Sequence, residues 1–454
     1  MGHPTRRGGG LKVGALVPVL LLAHRPAADA LSHAFLAGRP LAPLALALGL
    51  MAAVAGSTLR SRALTGAAGL VVASGALVLA DPGSLGVLML ALGALLVGAG
   101  TVAARLGAWT GSPPAGDPLE VERLRLLHGR THISCYAGNG PKSCLVDGAG
   151  AVSFQVRWRV AVAAGDPLAP GTDRMSAAMA FLALCARRGW VPCFFQTDAE
   201  LRDLYRGLGL RILKFGEEAV VEVPRFSLAT AARADARHEV ARARRAGLEA
   251  NVLREPAATD PFWTEAAAVS NAWLQHRGGH EMGFSLGRLG EAVDTATWYT
   301  AAWDGEGRLH AFCSWIRVGD EGLALDLIRR RPGAAAGAVD LCVVRGIEAA
   351  RQAGLLRVSL GTVAFRDGLG DAPDGGPARW VRATVYRRGW GGYSYRGLTH
   401  FKAKYATRWE SRDIALPRGP AAALVLVALA RLHLASTPPA TAPAVPPLEL
   451  AGSP

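Results

Sequence analysis

Lysine is scarce in this chain, because only 5 of its 50 basic residues are lysines. They are Lys12, Lys142, Lys214, Lys402 and Lys404. An ammonium group on a flexible stem contacts phosphate as a point charge and transfers protons, whereas a guanidinium scarcely deprotonates. Two of the five lysines stand among aromatic residues in segment 397–409. We read this segment as extended, which places Lys402 and Lys404 on one face. The alternative is a solvated basic strand.

The chain also lacks the residue spacings that are typical of metal sites. Its six cysteines form no C-x-x-C pair and lie mostly in apolar runs, so we interpret them as reduced core residues of a cytosolic domain. His128 and His132 are four residues apart, as are His276 and His280, but neither pair has the companion acid or cysteine of a zinc motif. We therefore expect no metal and no other cofactor.

Charge is absent from three long apolar runs near the N terminus, at 41–57, 64–80 and 85–104. Each is close to the ~20 residues that a bilayer span requires. A shorter run, 13–23, adds a full or partial span. We expect residues 1–110 to form an anchor of about four transmembrane helices, three if the short run does not span, and residues 111–118 to form a linker rich in Gly and Pro.

The basic residues around these runs predict the topology. Arg60 and Arg62 separate the second run from the third, and Arg105 follows the last one. With four spans they share a side with Arg6, Arg7 and Lys12, which the positive-inside rule makes cytoplasmic. We expect a multi-pass protein of the cell membrane whose body faces the cytoplasm. The net charge of +14 favours polyanionic partners, either nucleic acid or an anionic membrane.

From residue 119 onward the apolar periodicity is that of an α/β protein. We predict strands at 154–162, 191–196, 211–223, 298–303, 309–317, 323–328 and 357–360, and helices at 175–188, 199–208 and 339–353. The apolar stretch 421–434 is too short for a comfortable span and predicts a packed or interfacial helix. These elements fall into two domains, 119–225 and 226–436, followed by a disordered tail, 437–454.

Ordered sequence blocks in the body resemble one family, the phosphatidylglycerol lysyltransferases, also called multiple peptide resistance factors. The blocks are A-A-G-D-P at 163–167, R-G-W-V-P at 188–192, L-K-F-G-E-E-A at 213–219, S-N-A-W-L at 270–274, E-M-G-F-S-L-G at 281–287, D-L-I-R at 326–329, and the lysine segment. The resemblance covers about 136–416. Two departures are Ala378, where the family has an acidic position, and a much shorter membrane part.

This resemblance implies tandem acetyltransferase-like (GNAT) domains that transfer an aminoacyl group from aminoacyl-tRNA to a membrane lipid. It implies that the catalytic residues are Asp326, Arg329, Lys402 and Lys404. We assign substrate binding to Lys214, Glu217, Glu218, Glu281, Ser285, Gly361 and Arg412. For Glu217 and Glu218 the alternative is a row of exposed carboxylates at a strand edge.

A second basic cluster has helical spacing. Arg233, Arg237 and Arg244 fall on one face of a predicted helix, joined by Arg242 and Arg245. We predict that tRNA phosphates contact Arg237, Arg242, Arg244 and Arg245. The alternative is a solvated surface helix.

The absence of one loop pattern indicates which molecule is the acyl donor. Acetyl-coenzyme A enzymes of the GNAT fold carry a Q/R-x-x-G-x-G/A loop at a helix start, where it cradles pyrophosphate. We find no good copy there, since R-G-W-G-G at 388–392 is expected to precede a strand. The expected function is therefore a membrane-anchored transferase that uses aminoacyl-tRNA and phosphatidylglycerol or a similar anionic lipid. We include a second copy of the chain, as a homo-oligomer, among the expected partners. The alternatives are a peptidoglycan-precursor acceptor and a non-catalytic binder of tRNA or lipid.

Overall fold

The computed structural model describes residues 116–138, 142–254, 256–257, 259–276, 284–289, 297–367, 376–388, 394–419 and 421–434. The predicted membrane anchor, most of the linker, and the tail lie outside these ranges. Within them, no helix is both long enough and apolar enough to cross a bilayer.

Eleven strands run through the described residues: β1 (Ser143–Asp147), β2 (Gly150–Arg157), β3 (Val160–Ala164), β4 (Val191–Asp198), β5 (Arg211–Glu222), β6 (Glu249–Arg254), β7 (Trp298–Trp303), β8 (Leu309–Val318), β9 (Gly322–Arg330), β10 (Arg357–Ala364) and β11 (Arg408–Leu416). The α-helices of the same residues are α1 (Pro118–His128), α2 (Arg174–Arg188), α3 (Arg202–Gly207), α4 (Ala234–Arg245), α5 (Phe262–His276), α6 (Ala338–Gln352), α7 (Gly376–Arg388), α8 (Tyr395–Ala403) and α9 (Ala421–Leu434).

All of these strands belong to one mixed sheet, in the order β1-β2-β3-β4-β11-β5-β10-β9-β8-β7-β6. Two adjacent pairs are parallel, β3 with β4 and β9 with β10. The long crossover within each parallel pair contains a helix, α2 in the first and α6 in the second. Each half of the chain therefore repeats a pattern of antiparallel strands followed by a parallel pair.

The two halves interlock at the centre of the sheet. β11, the last strand of the chain, lies between β4 and β5, and β5 in turn pairs with β10. The predicted N-terminal and C-terminal domains therefore share backbone hydrogen bonds, and a site at this junction receives side chains from both.

Most of the helices and strands that apolar periodicity predicts are confirmed, but it gives no prediction for β1, β6 or β11. In α2, for example, Ala178, Phe181 and Leu184 face the core, and the helix ends at Gly189, whose φ of 62° is left-handed. The predicted helix at 421–434 is confirmed as α9, which packs Val425, Ala428 and Leu429 into the core.

Two of the strand predictions are wrong. The apolar alternation at 154–162 is interrupted by a tight turn, because Trp158 and Arg159 both have positive φ and separate β2 from β3. The lysine segment is also not extended, since 395–403 is helix α8. Ser394 caps α8 by accepting a hydrogen bond from the backbone N–H of Gly397.

Candidate functional site

The candidate site lies where the parallel strands β9 and β10 separate. They pair only from Arg357↔Gly322 to Ser359↔Ala324, and β10 is irregular between Ser359 and Thr362. Beyond this point the strands no longer share hydrogen bonds. We call the opening the β9–β10 fork, bounded by Leu325 and Asp326 on one side and Gly361 and Thr362 on the other. Ligands of open α/β sheets bind at the carboxyl ends of such strands.

A 3₁₀ turn from the N-terminal half, His132–Tyr136, fills the base of this fork. The ring nitrogen Nε2 of His132 lies 2.8 Å from the carbonyl oxygen of Leu325, and so satisfies a β9 carbonyl that β10 does not reach. The backbone N–H of His132 also donates to Oε2 of Glu218, at 3.3 Å. Burial lowers the pKa of His132, although the charge of Glu218 opposes this.

Asp326 is held by three donors from three different segments. Oδ1 accepts from the Tyr136 hydroxyl at 2.9 Å and from the backbone N–H of Gly287 at 2.8 Å. Oδ2 accepts from the Ser314 hydroxyl at 3.0 Å. A side chain at position 287 would collide with the carboxylate, because its Cβ would lie 2.5 Å from Oδ2. The orientation of Asp326 is therefore fixed by its surroundings.

Lys402 enters the fork from the opposite side, on α8. Its side chain is buried, and Nζ donates to the carbonyl oxygen of Thr362 at 3.2 Å. Gly361 has φ of +82°, and a Cβ there would lie 3.1 Å from Nε2 of His132 and 3.3 Å from Nζ of Lys402. Burial lowers the pKa of Lys402 to about 7, and the charge of Glu218 acts in the opposite sense.

Glu218 and Arg412 form the charged floor of the fork. Both are buried, and Nε of Arg412 lies 2.7 Å from Oε2 of Glu218. Arg357 adds a contact to Oε1 at 3.3 Å. Burial alone would raise the pKa of Glu218, but Arg412 and Arg357 hold it well below its usual range. The alternative of exposed carboxylates at a strand edge is therefore wrong, because Glu217 and Glu218 are both fully buried.

Lys404 does not share the site of Lys402, so the expectation of one lysine-bearing face is wrong. Residues two apart on a helix point in different directions. Lys404 forms an ion pair with Asp340 at the start of α6, and the Tyr405 hydroxyl donates to the same carboxylate oxygen. Lys404 thus faces α6 rather than the fork.

Arg329 lies farther along β9 and packs against α5. Its Nε donates to Ser270 at 3.3 Å, and its guanidinium lies 4.1 Å from the centroid of the Trp273 ring. Arg329 and Asp326 come from the same strand, but their described contacts are with different elements.

Lys214 and Glu217 belong to a second buried charge cluster. Nζ of Lys214 lies 2.9 Å from Glu217 and 3.4 Å from Asp367, and Arg366 pairs with Glu217. Of the remaining predicted substrate residues, Ser285 is partly buried and stands two positions before Gly287. Glu281 lies outside the described residues.

The predicted arginine helix is confirmed as α4, but its arginines differ in their surroundings. Arg233, just before α4, donates to the carbonyl oxygens of Ala403 and Ala406 and so ties α4 to the end of α8. Arg237 is exposed and donates to the carbonyl oxygens of Leu228 and Thr230. The other exposed arginines of α4 are Arg242, Arg244 and Arg245.

A pocket of about 360 Å³ lies where β9 ends and α6 begins. Its lining has mixed charge and includes Arg330, His400 and Lys404 together with Asp235, Glu239 and Asp340. Lys404 lines this pocket and Lys402 does not, since Nζ of Lys402 donates to Thr362 in the fork.

The segment between β9 and α6 shows that the expectation about the pyrophosphate loop is wrong. Residues 330–335 read R-R-P-G-A-A, which fits the R-x-x-G-x-A pattern, and they stand between β9 and α6. The expectation that no good copy of this loop precedes a helix is therefore wrong. The expectation for 388–392 is also wrong, since the element that follows it is the helix α8.

Sequence reasoning missed His132, Tyr136 and Ser314. In the sequence, His132 stands out only through its spacing from His128, and Tyr136 only as the first residue of the region that resembles the family. Their contacts with β9 join residues about 190 positions apart, so spacing along the chain carries no signal of them.

Comparison with known proteins identifies the family. A family model described as "Phosphatidylglycerol lysyltransferase, C-terminal" matches residues 123–415. The lysylphosphatidylglycerol biosynthesis bifunctional protein LysX of Mycobacterium avium (strain 104) is 28% identical over 303 residues, which is 65% of this chain and 26% of that protein. LysX of Mycobacterium tuberculosis (strain ATCC 25618 / H37Rv) is 27% identical over the same length and the same shares of the two chains. The chain thus spans about a quarter of the length of these relatives.

Two solved structures have a similar fold. The C-terminal domain of a putative lysylphosphatidylglycerol synthetase from Agrobacterium fabrum superposes with a TM-score of 0.59 at 25% identity, covering 69% of this chain and 96% of that one. L-PGS from Bacillus licheniformis superposes with a TM-score of 0.61 at 23% identity, covering 71% and 98%. On the match over residues 123–415, this chain belongs to the phosphatidylglycerol lysyltransferase C-terminal family.

Proposed function

We propose that this protein transfers an aminoacyl group from aminoacyl-tRNA to a hydroxyl of phosphatidylglycerol or a similar anionic lipid. The observation that carries the proposal is the β9–β10 fork of a family member, where an oriented carboxylate, Asp326, and a buried lysine, Lys402, approach from opposite sides. The names of the relatives support lipid aminoacylation as the reaction class.

The reaction needs only groups that such a fork supplies. The lipid oxygen forms a bond to the carbonyl carbon of the aminoacyl ester, and the bond from that carbon to the ribose oxygen of tRNA breaks. One proton leaves the lipid hydroxyl and one proton reaches the ribose oxygen, so a single shuttle group balances the step. No redox partner or external oxidant is required.

Lys402 is the group we assign to this proton transfer. A pKa of about 7 gives a substantial neutral fraction at physiological pH. The neutral amine has a lone pair that accepts the hydroxyl proton, while an N–H still donates to Thr362. The resulting ammonium then protonates the departing ribose oxygen. Asp326 orients one of the reactants through the part of its carboxylate that faces the fork.

We further propose that residues 1–110 anchor the protein in the cell membrane and that the body faces the cytoplasm, where charged tRNA is found. The uncharged runs of that segment and the basic residues between them support this topology. The exposed arginines of α4 and the overall charge of +14 favour a polyanionic donor such as tRNA.

Lipid extraction from cells with and without the gene tests the proposal. We expect an additional lipid that reacts with ninhydrin and contains glycerol, phosphate and an amino acid. If the lipid profile is unchanged and the amino acid is found on a peptidoglycan precursor, the acceptor is that precursor and not a lipid. A profile unchanged in both fractions would leave a non-catalytic binder as the better account.

A further inference from the structure

Tyr136 connects the N-terminal half of the chain to the carboxylate of the candidate site. It is fully buried, and its hydroxyl donates to Oδ1 of Asp326 at 2.9 Å. The same oxygen atom lies 3.4 Å from Nε2 of His132. Because Nε2 carries the proton that it donates to the carbonyl of Leu325, it cannot accept from Tyr136, and the Tyr136 hydroxyl donates to Asp326.

The three bonds to Asp326 determine which of its oxygens is available to a substrate. A carboxylate has about four lone-pair positions. Tyr136 and Gly287 take two on Oδ1, and Ser314 takes one on Oδ2. Among the contacts of the described residues, the remaining acceptor position is therefore on Oδ2.

We infer that Tyr136 is a positioning residue of the transfer site. Its hydroxyl holds Oδ1 of Asp326 so that Oδ2 faces the reactants, and a residue of the N-terminal half thereby orients a carboxylate of the C-terminal half. This inference rests on the proposed function. It predicts that the hydroxyl of Tyr136 acts on turnover rather than on folding alone.

The chain offers a matched control for removing this hydroxyl. Tyr205 is also fully buried, and its hydroxyl donates to a carboxylate, Oδ1 of Asp166, at 2.6 Å. Tyr205 lies on α3, and Asp166 also accepts from the backbone N–H of Asp198 on β4. Within the described residues, neither member of this pair contacts Asp326. Tyr136→Phe and Tyr205→Phe thus remove the same atom from similar surroundings at different places.

The experiment measures kcat, KM and thermal stability of the full-length wild type, Tyr136→Phe, Tyr205→Phe and Ser314→Ala, using charged tRNA and phosphatidylglycerol vesicles. A hydrogen bond to a charged group corresponds to roughly a tenfold to hundredfold effect. We expect Tyr136→Phe to lose about that factor in kcat with little change in KM, and Tyr205→Phe to keep the wild-type kcat. Ser314→Ala, which removes the donor on Oδ2, is expected to resemble Tyr136→Phe and serves in its place if that variant fails to fold.

The outcomes separate this inference from the function on which it rests. Wild-type kcat in Tyr136→Phe, or in Ser314→Ala when Tyr136→Phe does not fold, would overturn the positioning role while leaving the transferase intact. Equal losses in Tyr136→Phe and Tyr205→Phe would assign the effect to general loss of packing and would also overturn it. A wild-type protein that transfers nothing would overturn the proposed function first.

Discussion

Lys402 and Lys404 are two residues apart at the end of α8, yet they face different parts of the molecule. Nζ of Lys402 donates to the carbonyl of Thr362 in the β9–β10 fork. Lys404 pairs with Asp340 at the start of α6. A helix turns by about 100° for each residue, so this separation follows from the backbone. The two lysines therefore belong to two different sites, although the sequence segment 397–409 suggests one.

The first prediction uses Lys404 as the control for Lys402. Lys402→Arg keeps the positive charge but removes the deprotonated form, because a guanidinium stays protonated. We expect the transfer rate to fall by about 10²–10⁴, the usual contribution of acid–base catalysis. Lys404→Arg keeps the charge opposite Asp340, and we expect a much smaller loss. Similar rates for the two variants in single-turnover assays would exclude Lys402 as the proton shuttle.

The second prediction concerns pH. The charged and titratable groups beside Lys402 are Glu218 and His132. Because its pKa is about 7, the neutral fraction of Lys402 increases as pH rises through 7, and kcat/KM should rise with it and then level off. We expect this rise to be missing from the residual activity of Lys402→Arg. A rise at the same pH in that variant would assign the titration to another group.

Stability provides a second readout of the same group. The folded-state pKa of Lys402 is below its ordinary value of 10.5, so the unfolded chain binds more protons between about pH 7 and 10.5. The contribution of Lys402 to the free energy of unfolding therefore increases with pH across this window. Lys402→Met should remove that increase, whereas Lys404→Met should retain it.

The third prediction concerns the floor of the fork. Arg412→Met leaves the buried carboxylate of Glu218 without its nearest cation, and removing one partner of a buried ion pair costs about 3–5 kcal/mol. Denaturant unfolding measures this loss. Arg123→Met breaks an exposed pair with Glu120 and should have little effect. We expect Glu218→Leu together with Arg412→Met to recover part of the loss, and a further loss in the double variant would contradict the pairing.

Acid should weaken the same pair. The pKa of Glu218 is held below its ordinary value of 4.5 in the folded state, so its stabilising contribution is complete above that pH and decreases as pH falls below it. Wild type should therefore lose stability in acid more steeply than the Glu218→Leu and Arg412→Met double variant.

The fourth prediction tests whether α4 contacts tRNA. Arg242→Glu and Arg244→Glu change exposed side chains, and each lost phosphate contact should reduce the slope of log affinity against log salt by about one. Arg187 on α2 is exposed too, and Arg187→Glu is the control for the change in net charge. Equal slopes for all three variants would make α4 a solvated surface helix. Arg237 is a poorer probe, since it also binds the backbone of the loop before α4.

Much of the secondary structure was predictable because a single buried face fixes its periodicity. The predicted bounds are within a few residues of the observed ones for β7, β8, β9 and α6. In each of them the apolar residues continue along the whole element without a break. The prediction that the lysine segment is extended was wrong, because its aromatic residues also fit a helical spacing. Phe401 in α8 and Tyr405 just after it are four residues apart, a spacing typical of a helix, and their rings meet edge to face. An extended reading of this segment does not use that spacing.

The site was predictable only in part. The family blocks predicted four of the residues that come together in the fork, namely Asp326, Lys402, Glu218 and Gly361. The residues that orient them, His132 and Tyr136, were not named as site residues, because their contacts depend on how the two halves of the sheet interlock. The burial of Glu218 likewise follows from β11 pairing beside β5, which local sequence does not indicate.

Transfer of label to lipid by the purified full-length protein tests the central claim most directly. The assay combines mixed tRNAs charged with labelled amino acids, phosphatidylglycerol vesicles, and either wild type or the isosteric Asp326→Asn variant, with labelled acetyl-coenzyme A as a separate donor. We predict that wild type moves label from tRNA into the lipid phase, that coenzyme A gives none, and that Asp326→Asn is folded but nearly inactive. Label from coenzyme A, no label in lipid from any charged tRNA, or equal transfer by Asp326→Asn would contradict this account.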